Sequence, residues 1–303
     1  MDSYNEFGYF ADNAAEHGIA FSPPTVRREQ VILDDGRAMS ALVWGSSPPE
    51  VVLIHGGAQN AHTWDTVCLA LDRPLIAIDL PGHGHSDGPA AGAANVERNA
   101  IDVMATIEAL APTASTLVGM SLGGLTSFAI MAAHPDRFAS VLIVDITPGV
   151  QSEKAQHIAS FVNGPTSFDS FDDLLARTME FNPTRSEASL RRGILHNAEQ
   201  LEDGTWVWRH AKHRVFGNYE EGEEVARDHH RLWNGVEAHV GRFTLARGLR
   251  EQSVVTDGEA AELLQRRPDA RIENFPEAGH SIQGDMPVEL AALIGEVTEG
   301  SRK

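Results

Sequence analysis

The feature that most constrains the fold of this chain is a short apolar run, Thr116 to Val118, that turns at a serine into a helical pattern. Gly119 and Gly123 stand two positions before and two positions after Ser121. Because glycine has no Cβ, it lets the chain turn sharply from strand to helix and leaves the serine hydroxyl exposed on the turn. The unpaired N–H groups of the following helix favour negative charge beside that oxygen. Ser121 is therefore the candidate nucleophile.

The Gly-x-Ser-x-Gly pattern alone is weak evidence, since it occurs by chance in about one chain in ten of this length. Its context strengthens it: continuous apolar runs begin at Val51, Leu75, Ser140 and Arg242, with helical spacing between them. Such runs are typical of strands buried on both faces, and their alternation with helices predicts an α/β fold with a doubly wound, mostly parallel sheet. In such sheets, ligands bind at the carboxyl ends of the strands.

Two further signals delimit this sheet. Asp35-Gly36 lies between two strand-like runs and predicts a hairpin, so that an antiparallel pair opens the sheet. Between Val150 and Val240, helical, polar and aromatic segments replace the alternation of strands and helices. We therefore predict an N-terminal arm at residues 1–24, a core at residues 25–149 and 241–303, and an inserted cap at residues 150–240.

The charge of the chain argues against two classes of partner. Among 303 residues, 43 are acidic and 24 are basic, and the net charge of −19 repels nucleic acid and anionic membrane surfaces. The first residues lack a basic segment followed by an apolar one, and no uncharged apolar run approaches about 18 residues, so we expect a cytoplasmic protein. The single cysteine, Cys68, lies in an apolar helical stretch and is expected to be a buried thiol.

A serine nucleophile needs a base, and His280 is the best candidate among 14 histidines. A serine hydroxyl is almost un-ionised at neutral pH, whereas imidazole, with an unperturbed pKa of about 6.5, can take its proton. His280 follows the last predicted strand and precedes the closing helix. No cofactor or metal is expected: the adjacent pair His229-His230 has side chains that diverge on a helix, and no phosphate-binding glycine fingerprint follows a strand.

Four segments at predicted strand ends carry recognisable motifs: His55-Gly56-Gly57, Asp79-Leu-Pro-Gly-His-Gly-His-Ser86, Gly119-Met-Ser121-Leu-Gly123 and Gly279-His280-Ser281. Together they resemble the α/β-hydrolase fold family, over nearly the whole chain from about residue 25. The resemblance implies an eight-stranded sheet with an inserted helical cap and a triad in the chain order serine, acid, histidine. Position by position, Ser121 matches the nucleophile and His280 the base, and the backbone amides of Gly57 and Leu122 match the oxyanion donors.

The acid of the triad has two candidates. Asp145 ends the strand directly after the nucleophile helix, where a carboxylate can orient the histidine. The family more often takes its acid from the loop after the next strand, where Glu251 stands at the usual spacing and the usual aspartate is missing. Haloalkane dehalogenases and zearalenone-type lactonases resemble the first arrangement. We favour Asp145 and keep Glu251 as the alternative.

Substrate contacts are assigned mainly to the cap. A Trp-x-Trp-Arg run has alternating sides, so Trp208 is the best candidate to line a pocket, with Met120 and His55 as candidates on the core. Each has a structural alternative, which is the small core of the cap for Trp208 and loop packing for His55. The other aromatic candidates are Phe161, Phe181, Trp206, Phe216 and Trp233.

These residues predict a serine hydrolase that acts on carboxylic esters or lactones through an acyl-enzyme. The partner is a small apolar or aromatic substrate under the cap, and the N-terminal arm could join two chains in a homodimer. Two alternatives stay open: a C–C bond hydrolase or cofactor-free haloperoxidase/perhydrolase on the same triad, and a ligand receptor with little turnover. Arg177, Arg185 and Arg209 of the cap are compatible with the first alternative.

Overall fold

Eleven strands are found in the part of the chain that the structure describes, and eight of them form the central sheet. The structure is a computed structural model, and it describes residues 4–89, 95–150, 160–162, 164–210 and 223–300. The strands of the central sheet are β1 (Val26–Ile32), β2 (Ala38–Trp44), β3 (Val51–Ile54), β4 (Leu75–Ile78), β5 (Thr116–Met120), β6 (Ser140–Val144), β10 (Arg242–Gly248) and β11 (Arg271–Phe275). The other three are β7 (Ser167–Phe168), β8 (Ala198–Gln200) and β9 (Trp206–Trp208).

The central sheet has the strand order β1-β2-β4-β3-β5-β6-β10-β11. Antiparallel pairing joins β1 to β2 and β2 to β4, and all later neighbours are parallel. Parallel neighbours require crossover connections, and helices supply them here. The predicted fold class is therefore confirmed: the sheet is doubly wound, mostly parallel and eight-stranded.

Helices cover the sheet, and among those within the described ranges none has the length and apolar character needed to cross a bilayer. A short 3-10 turn, Ala61–Trp64, precedes the second helix. The α-helices are Phe10–Glu16, Asp65–Leu71, Val96–Leu110, Leu122–Ala133, Phe171–Phe181, Glu187–Asn197, Glu223–Ala238, Asp257–Arg266, Ile282–Asp285 and Pro287–Gly300.

Apolar side chains are buried on both faces of the sheet. Along β3, Val52 and Ile54 belong to one apolar cluster, which includes the helices Leu122–Ala133 and Glu223–Ala238. Val51 and Leu53 point to the opposite face and belong to a second cluster with Trp64 and the last helix. Successive side chains of a strand alternate between faces, so a strand that is covered on both sides reads as one continuous apolar run.

The predicted hairpin opens the sheet. β1 and β2 pair from Val26 opposite Trp44 to Ile32 opposite Ala38. The turn between them is closed by a hydrogen bond from the Leu33 amide to the carbonyl oxygen of Arg37, at 2.8 Å. Gly36 adopts a φ of +84°, which a residue with a Cβ rarely accepts.

The segment between β6 and β10 contains more than helices. The strands β7, β9 and β8 form a separate antiparallel sheet, which packs with the helices Phe171–Phe181 and Glu187–Asn197 around a small apolar cluster. Trp206 and Trp208 are buried in this cluster. The sequence did not predict this sheet because strands of two or three residues are too short to show an alternating pattern.

The N-terminal arm packs against its own chain. Its helix, Phe10–Glu16, places Phe10 against Trp44 with ring centroids 4.9 Å apart. On the cap side, Arg192 donates from Nε to the amide oxygen of Asn13 at 2.7 Å. The arm therefore joins the core and the segment between β6 and β10, while the expected homodimer and cytoplasmic location stay predictions.

Two helix glycines test the packing of this fold. A Cβ on Gly235 would lie 2.2 Å from the carbonyl oxygen of Phe128, because the helices Glu223–Ala238 and Leu122–Ala133 approach closely there. We expect Gly235→Ala to lower the free energy of unfolding by about 1–3 kcal/mol through overpacking.

The matched control is Gly193→Ala in the helix Glu187–Asn197, where no atom lies within 4 Å of the added Cβ. We expect this variant to gain roughly 0.5–1 kcal/mol because alanine loses less backbone entropy than glycine. Urea unfolding of both variants measures the difference, and equal effects would contradict the close helix packing.

Candidate active site

The strand-to-helix turn at Ser121 has strained backbone geometry. Ser121 has φ +51° and ψ −116°, a conformation that a residue with a Cβ adopts only when its surroundings enforce it. The flanking glycines are required by close packing: a Cβ at Gly119 would lie 2.4 Å from the hydroxyl oxygen of Ser127, and one at Gly123 would lie 2.3 Å from the carbonyl oxygen of Ile54. The turn therefore holds the serine where the helix Leu122–Ala133 begins.

Asp145 lies at the end of β6, the strand next to β5, and is fully buried with a φ of +47°. Its carboxylate accepts two hydrogen bonds at each oxygen. At Oδ1 the donors are the Gly248 amide at 3.0 Å and the Ser253 hydroxyl at 2.7 Å, and at Oδ2 they are the Val254 amide at 3.0 Å and Nδ1 of His280 at 2.9 Å. Burying a charge is costly unless it is hydrogen-bonded, and these four donors meet that need.

The imidazole of His280 is oriented by this carboxylate. An ionised carboxylate only accepts, so the bond to Asp145 assigns the proton to Nδ1 and leaves the lone pair on Nε2. Nε2 is buried and has no hydrogen-bond partner among the described residues. The ring therefore offers one nitrogen that can accept a proton.

The structure does not bring Glu251 to the histidine. Glu251 is exposed on the turn after β10, and His280 bonds to Asp145 instead. The last residue of β10, Gly248, and the same loop, through Ser253 and Val254, supply donors to the Asp145 carboxylate. The loop from which the family more often takes its acid thus supplies hydrogen-bond donors here. Ser253 was not predicted as a site residue, because a serine in the loop after a strand is too common to be a signal.

The two amides predicted as oxyanion donors have no acceptor in the described part of the protein. Leu122 is the first residue of its helix, so its N–H has no intrahelical partner. The N–H of Gly57 has no acceptor among the described residues either. The amide of its neighbour Gly56 donates to Gln59 Oε1 at 3.1 Å. A Cβ on Gly56 would lie 3.2 Å from Cβ of Ser121, so the loop and the serine turn are in contact.

Two buried histidines hold this loop. His55 donates from Nδ1 to the Gly56 carbonyl at 2.7 Å, and its Nε2 accepts from the Leu80 amide at 2.9 Å. His83 accepts at Nε2 from the amide of Ala58 at 3.2 Å. Burial lowers the pKa of His55. Burial and the nearby rings of His55 and His210 lower the pKa of His83 to about 3, so both imidazoles are neutral at neutral pH.

These contacts bear on two of the predicted substrate contacts. His55 is fully buried and both of its ring nitrogens are bonded to backbone, which favours the loop-packing alternative, while the substrate contact stays a prediction. Met120 is only 1% exposed and its sulfur packs against Gly56. The Met120 side chain therefore packs against the loop that contains Gly56 and Gly57.

A cavity of about 140 Å³ lies between the core and the cap. Gln59 and Gln283 line it on the core side, near the Gly57 loop and the His280 loop, and Phe161 and Trp208 line it on the cap side. Neither Ser121 nor His280 is part of this lining. The cavity therefore adjoins the candidate triad without containing it.

The predicted aromatic wall is divided in the structure. Trp208 is 6% exposed, and its ring contacts Phe161 edge-to-face at 6.0 Å between centroids. Trp206 packs on Phe171 within the cap, and Trp233 belongs to the apolar cluster of the core. The predicted contact by Phe216 lies outside the described residues.

The comparisons with known proteins agree on one family. The model of the "Alpha/beta hydrolase family" matches residues 51–293. Esterase Rv0045c of Mycobacterium tuberculosis is 38% identical over 99% of this chain and 97% of its own length. A structure of that esterase, from work on its inhibition by transition metals, superimposes with a TM-score of 0.83 at 37% identity, covering 98% of this chain and 99% of that chain.

A second relative is more distant. The 2-(acetamidomethylene)succinate hydrolase of Mesorhizobium japonicum is 33% identical over 55% of this chain and 56% of its own length. A crystal structure of an E-2-(acetamidomethylene)succinate hydrolase has a TM-score of 0.77 at 22% identity, covering 91% of this chain and 100% of that chain, which is evidence for the fold alone.

The hydrogen bond from Ser253 to the buried carboxylate yields a stability prediction. Ser253→Ala removes one of four donors to a charged acceptor, and bonds of this kind contribute about 1.5–3 kcal/mol. The control is Ser127→Ala, which removes a bond of 2.7 Å to the neutral carbonyl of Gly123, where about 0.5–1.5 kcal/mol is expected. Urea unfolding should show the larger loss for Ser253→Ala, and the reverse order would contradict the stronger bond from Ser253.

Proposed function

The chain belongs to the alpha/beta hydrolase family, and on this basis we propose that it is a serine esterase that hydrolyses carboxylic esters through an acyl-enzyme on Ser121. The observation that carries the proposal is the Asp145–His280 pair, which leaves His280 Nε2 unbonded at the carboxyl end of the sheet. The amide of Ser121 donates to the carbonyl of Val144 at 3.3 Å, next to Asp145, so serine and acid lie on adjacent strand ends.

In the first step, His280 Nε2 takes the proton of the Ser121 hydroxyl as the oxygen attacks the ester carbonyl. The amides of Gly57 and Leu122 hold the oxyanion that forms, and a donor of this kind contributes about 2.7–4 kcal/mol. Asp145 keeps Nδ1 protonated and stabilises the imidazolium that forms. His280 then returns its proton to the leaving alcohol.

In the second step, water attacks the acyl-enzyme with His280 again as the base, and the acid product leaves. A lactone would follow the same path with the leaving alcohol still tethered to the acyl group. Water must then compete with ring closure, so release would depend on the cap. We propose an ester as the substrate and treat a lactone as an extension of the same chemistry.

The aromatic side of the cavity beside the triad supports a substrate with an apolar acyl or alcohol group. Phe161 and Trp208 provide an aromatic wall on the cap side. The name of the M. tuberculosis relative, an esterase that aligns over nearly the whole chain, supports the same reaction class. The rest of the lining is mainly polar and includes Gln59 and Gln283, so we expect an apolar group of the substrate to lie against the aromatic side of the cavity only.

Acid-to-amide variants test the triad. Asp145→Asn should lower kcat for p-nitrophenyl hexanoate by about 10³–10⁴-fold, because an amide no longer holds the required tautomer of His280. Glu251→Gln is the matched control and should stay near wild type, since Glu251 is exposed and His280 bonds elsewhere. Ser121→Ala should remove turnover, and circular dichroism should show all three variants folded.

The opposite ranking would refute this assignment. A loss in Glu251→Gln with an active Asp145→Asn would make the glutamate the acid. Labelling of Ser121 by a fluorophosphonate without turnover of any ester would favour the receptor alternative.

A substrate panel tests the reaction class. We expect the KM for p-nitrophenyl hexanoate to be lower than the KM for p-nitrophenyl acetate. The longer acyl chain buries more apolar surface, and each buried CH₂ contributes about 0.8 kcal/mol to binding. A macrocyclic resorcylic lactone and a ring-cleavage dienoate complete the panel. Activity confined to the dienoate would contradict the esterase and support the C–C bond hydrolase.

A further inference from the structure

Three metal-ligating side chains outside the proposed triad meet where the N-terminal arm, the core and the cap join. His62 lies in the 3-10 turn and Asp65 begins the following helix. His196 lies near the end of the cap helix Glu187–Asn197. One ligand atom of each lies within 4.8 Å of the others, and the three residues are at most 7% exposed. We call this group the His62–Asp65–His196 cluster.

Two polar atoms of the cluster are buried without a hydrogen-bond partner among the described residues: Nε2 of His196 and Oδ1 of Asp65. Buried polar atoms are bonded in the large majority of cases, so two orphaned atoms in one cluster indicate a ligand-binding role. The second carboxylate oxygen, Oδ2, accepts from His62 Nδ1 at 2.9 Å and lies 3.9 Å from His196 Nε2.

The position of His196 is set by contacts from the arm and the core. Its Nδ1 is 2.7 Å from the hydroxyl of Tyr4, which can accept the Nδ1 proton and so leave the lone pair on Nε2. Its backbone carbonyl accepts from the side-chain amide of Asn60 at 2.8 Å. Histidine ligands of metals are usually held in this way by a partner at the other ring nitrogen.

The cluster lies beside a network of charged side chains from the arm and the core. Arg28 donates to Asp79 at 2.8 Å and to Glu6 at 2.6 Å, and Glu6 lies 3.2 Å from Nε2 of His62.

We propose that His62, Asp65 and His196 form a binding site for a divalent transition-metal ion of the Zn²⁺ or Co²⁺ type. Two imidazole nitrogens and one carboxylate oxygen favour such ions over Mg²⁺ or Ca²⁺, which prefer oxygen ligands alone. The cavity of about 140 Å³ is also lined by these three residues, so it provides access and room for water as a further ligand. The site lies in the same cavity as the proposed substrate contacts Phe161 and Trp208 but shares no residue with the proposed triad.

Binding would require a local adjustment. The rings of His62 and His196 are stacked, with centroids 3.9 Å apart and planes 11° from parallel. Zinc bonds to imidazole nitrogen at about 2.0–2.1 Å, so one ring must tilt for both to reach the same ion. If Nδ1 of His62 is the ligand, it must also release the proton that it donates to Asp65. The bound ion would then link the cap helix Glu187–Asn197 to the 3-10 turn of the core.

Binding to metal-free protein tests the proposal. Equilibrium dialysis with Zn²⁺ should find one ion per chain at this site, and Co²⁺ should give the visible absorption of a low-coordinate nitrogen and oxygen site. We expect Asp65→Asn and His196→Gln to weaken binding at least tenfold. The matched control is His239→Gln. His239 is also buried and its Nε2 also has no partner among the described residues, but it belongs to no such cluster there, so this variant should bind Zn²⁺ as the wild-type protein does.

The main competing location is the triad itself, since His280 Nε2 is also buried and unpartnered. If His280→Gln abolishes binding while Asp65→Asn and His196→Gln retain it, the proposal is overturned. Failure of the wild-type protein to bind Zn²⁺ or Co²⁺ also overturns it.

A milder variant covers the case in which the buried substitutions prevent folding. Tyr4→Phe removes only the hydroxyl beside His196 Nδ1 and leaves all three ligands in place. Loss of such a partner typically weakens metal affinity by about 10–100-fold, so weakened binding in a folded variant supports the site. Unchanged affinity in Tyr4→Phe would contradict the proposed role of His196.

Discussion

The buried carboxylate of Asp145 is the group on which the arrangement of the candidate site depends. Its charge lies in the interior, so the surrounding chain must provide donors, and it does so from two loops. One donor is the last residue of β10, two come from the loop after β10, and the fourth is His280, after β11. The hydrogen bonds that the Asp145 carboxylate requires thereby orient His280. Because Asp145 already bonds this imidazole, the loop after β10 does not have to provide the acid.

Close backbone approach is the second constraint on the site. The serine turn packs so tightly on β3 that Gly123 lies against the Ile54 carbonyl, and the Gly57 loop packs on the turn through Gly56. The neutral rings of His55 and His83 hold that loop by hydrogen bonds to its backbone. The amides of Gly57 and Leu122, which have no acceptor among the described residues, lie within this packed framework, and the proposed stabilisation of an oxyanion requires donors held in this way.

Polar contacts connect the cap to the rest of the protein. Arg28 joins the arm to the core through Glu6 and Asp79, and Asn60 reaches the cap backbone at His196. A metal ion at the proposed site would act on this junction and at a distance from the serine turn.

The sequence by itself determined the strands and helices of the core, the candidate nucleophile and the candidate base. These rest on local signals: apolar runs, glycines at turns, and a histidine directly after the last strand. The tertiary structure decided what depends on contacts between distant segments. Asp145 and His280 are 135 positions apart, and only the folded chain shows that this carboxylate, and not Glu251, meets the imidazole. The cluster of His62 and Asp65 with His196 was invisible for the same reason, because no local pattern records which loops of a cap and a core come together.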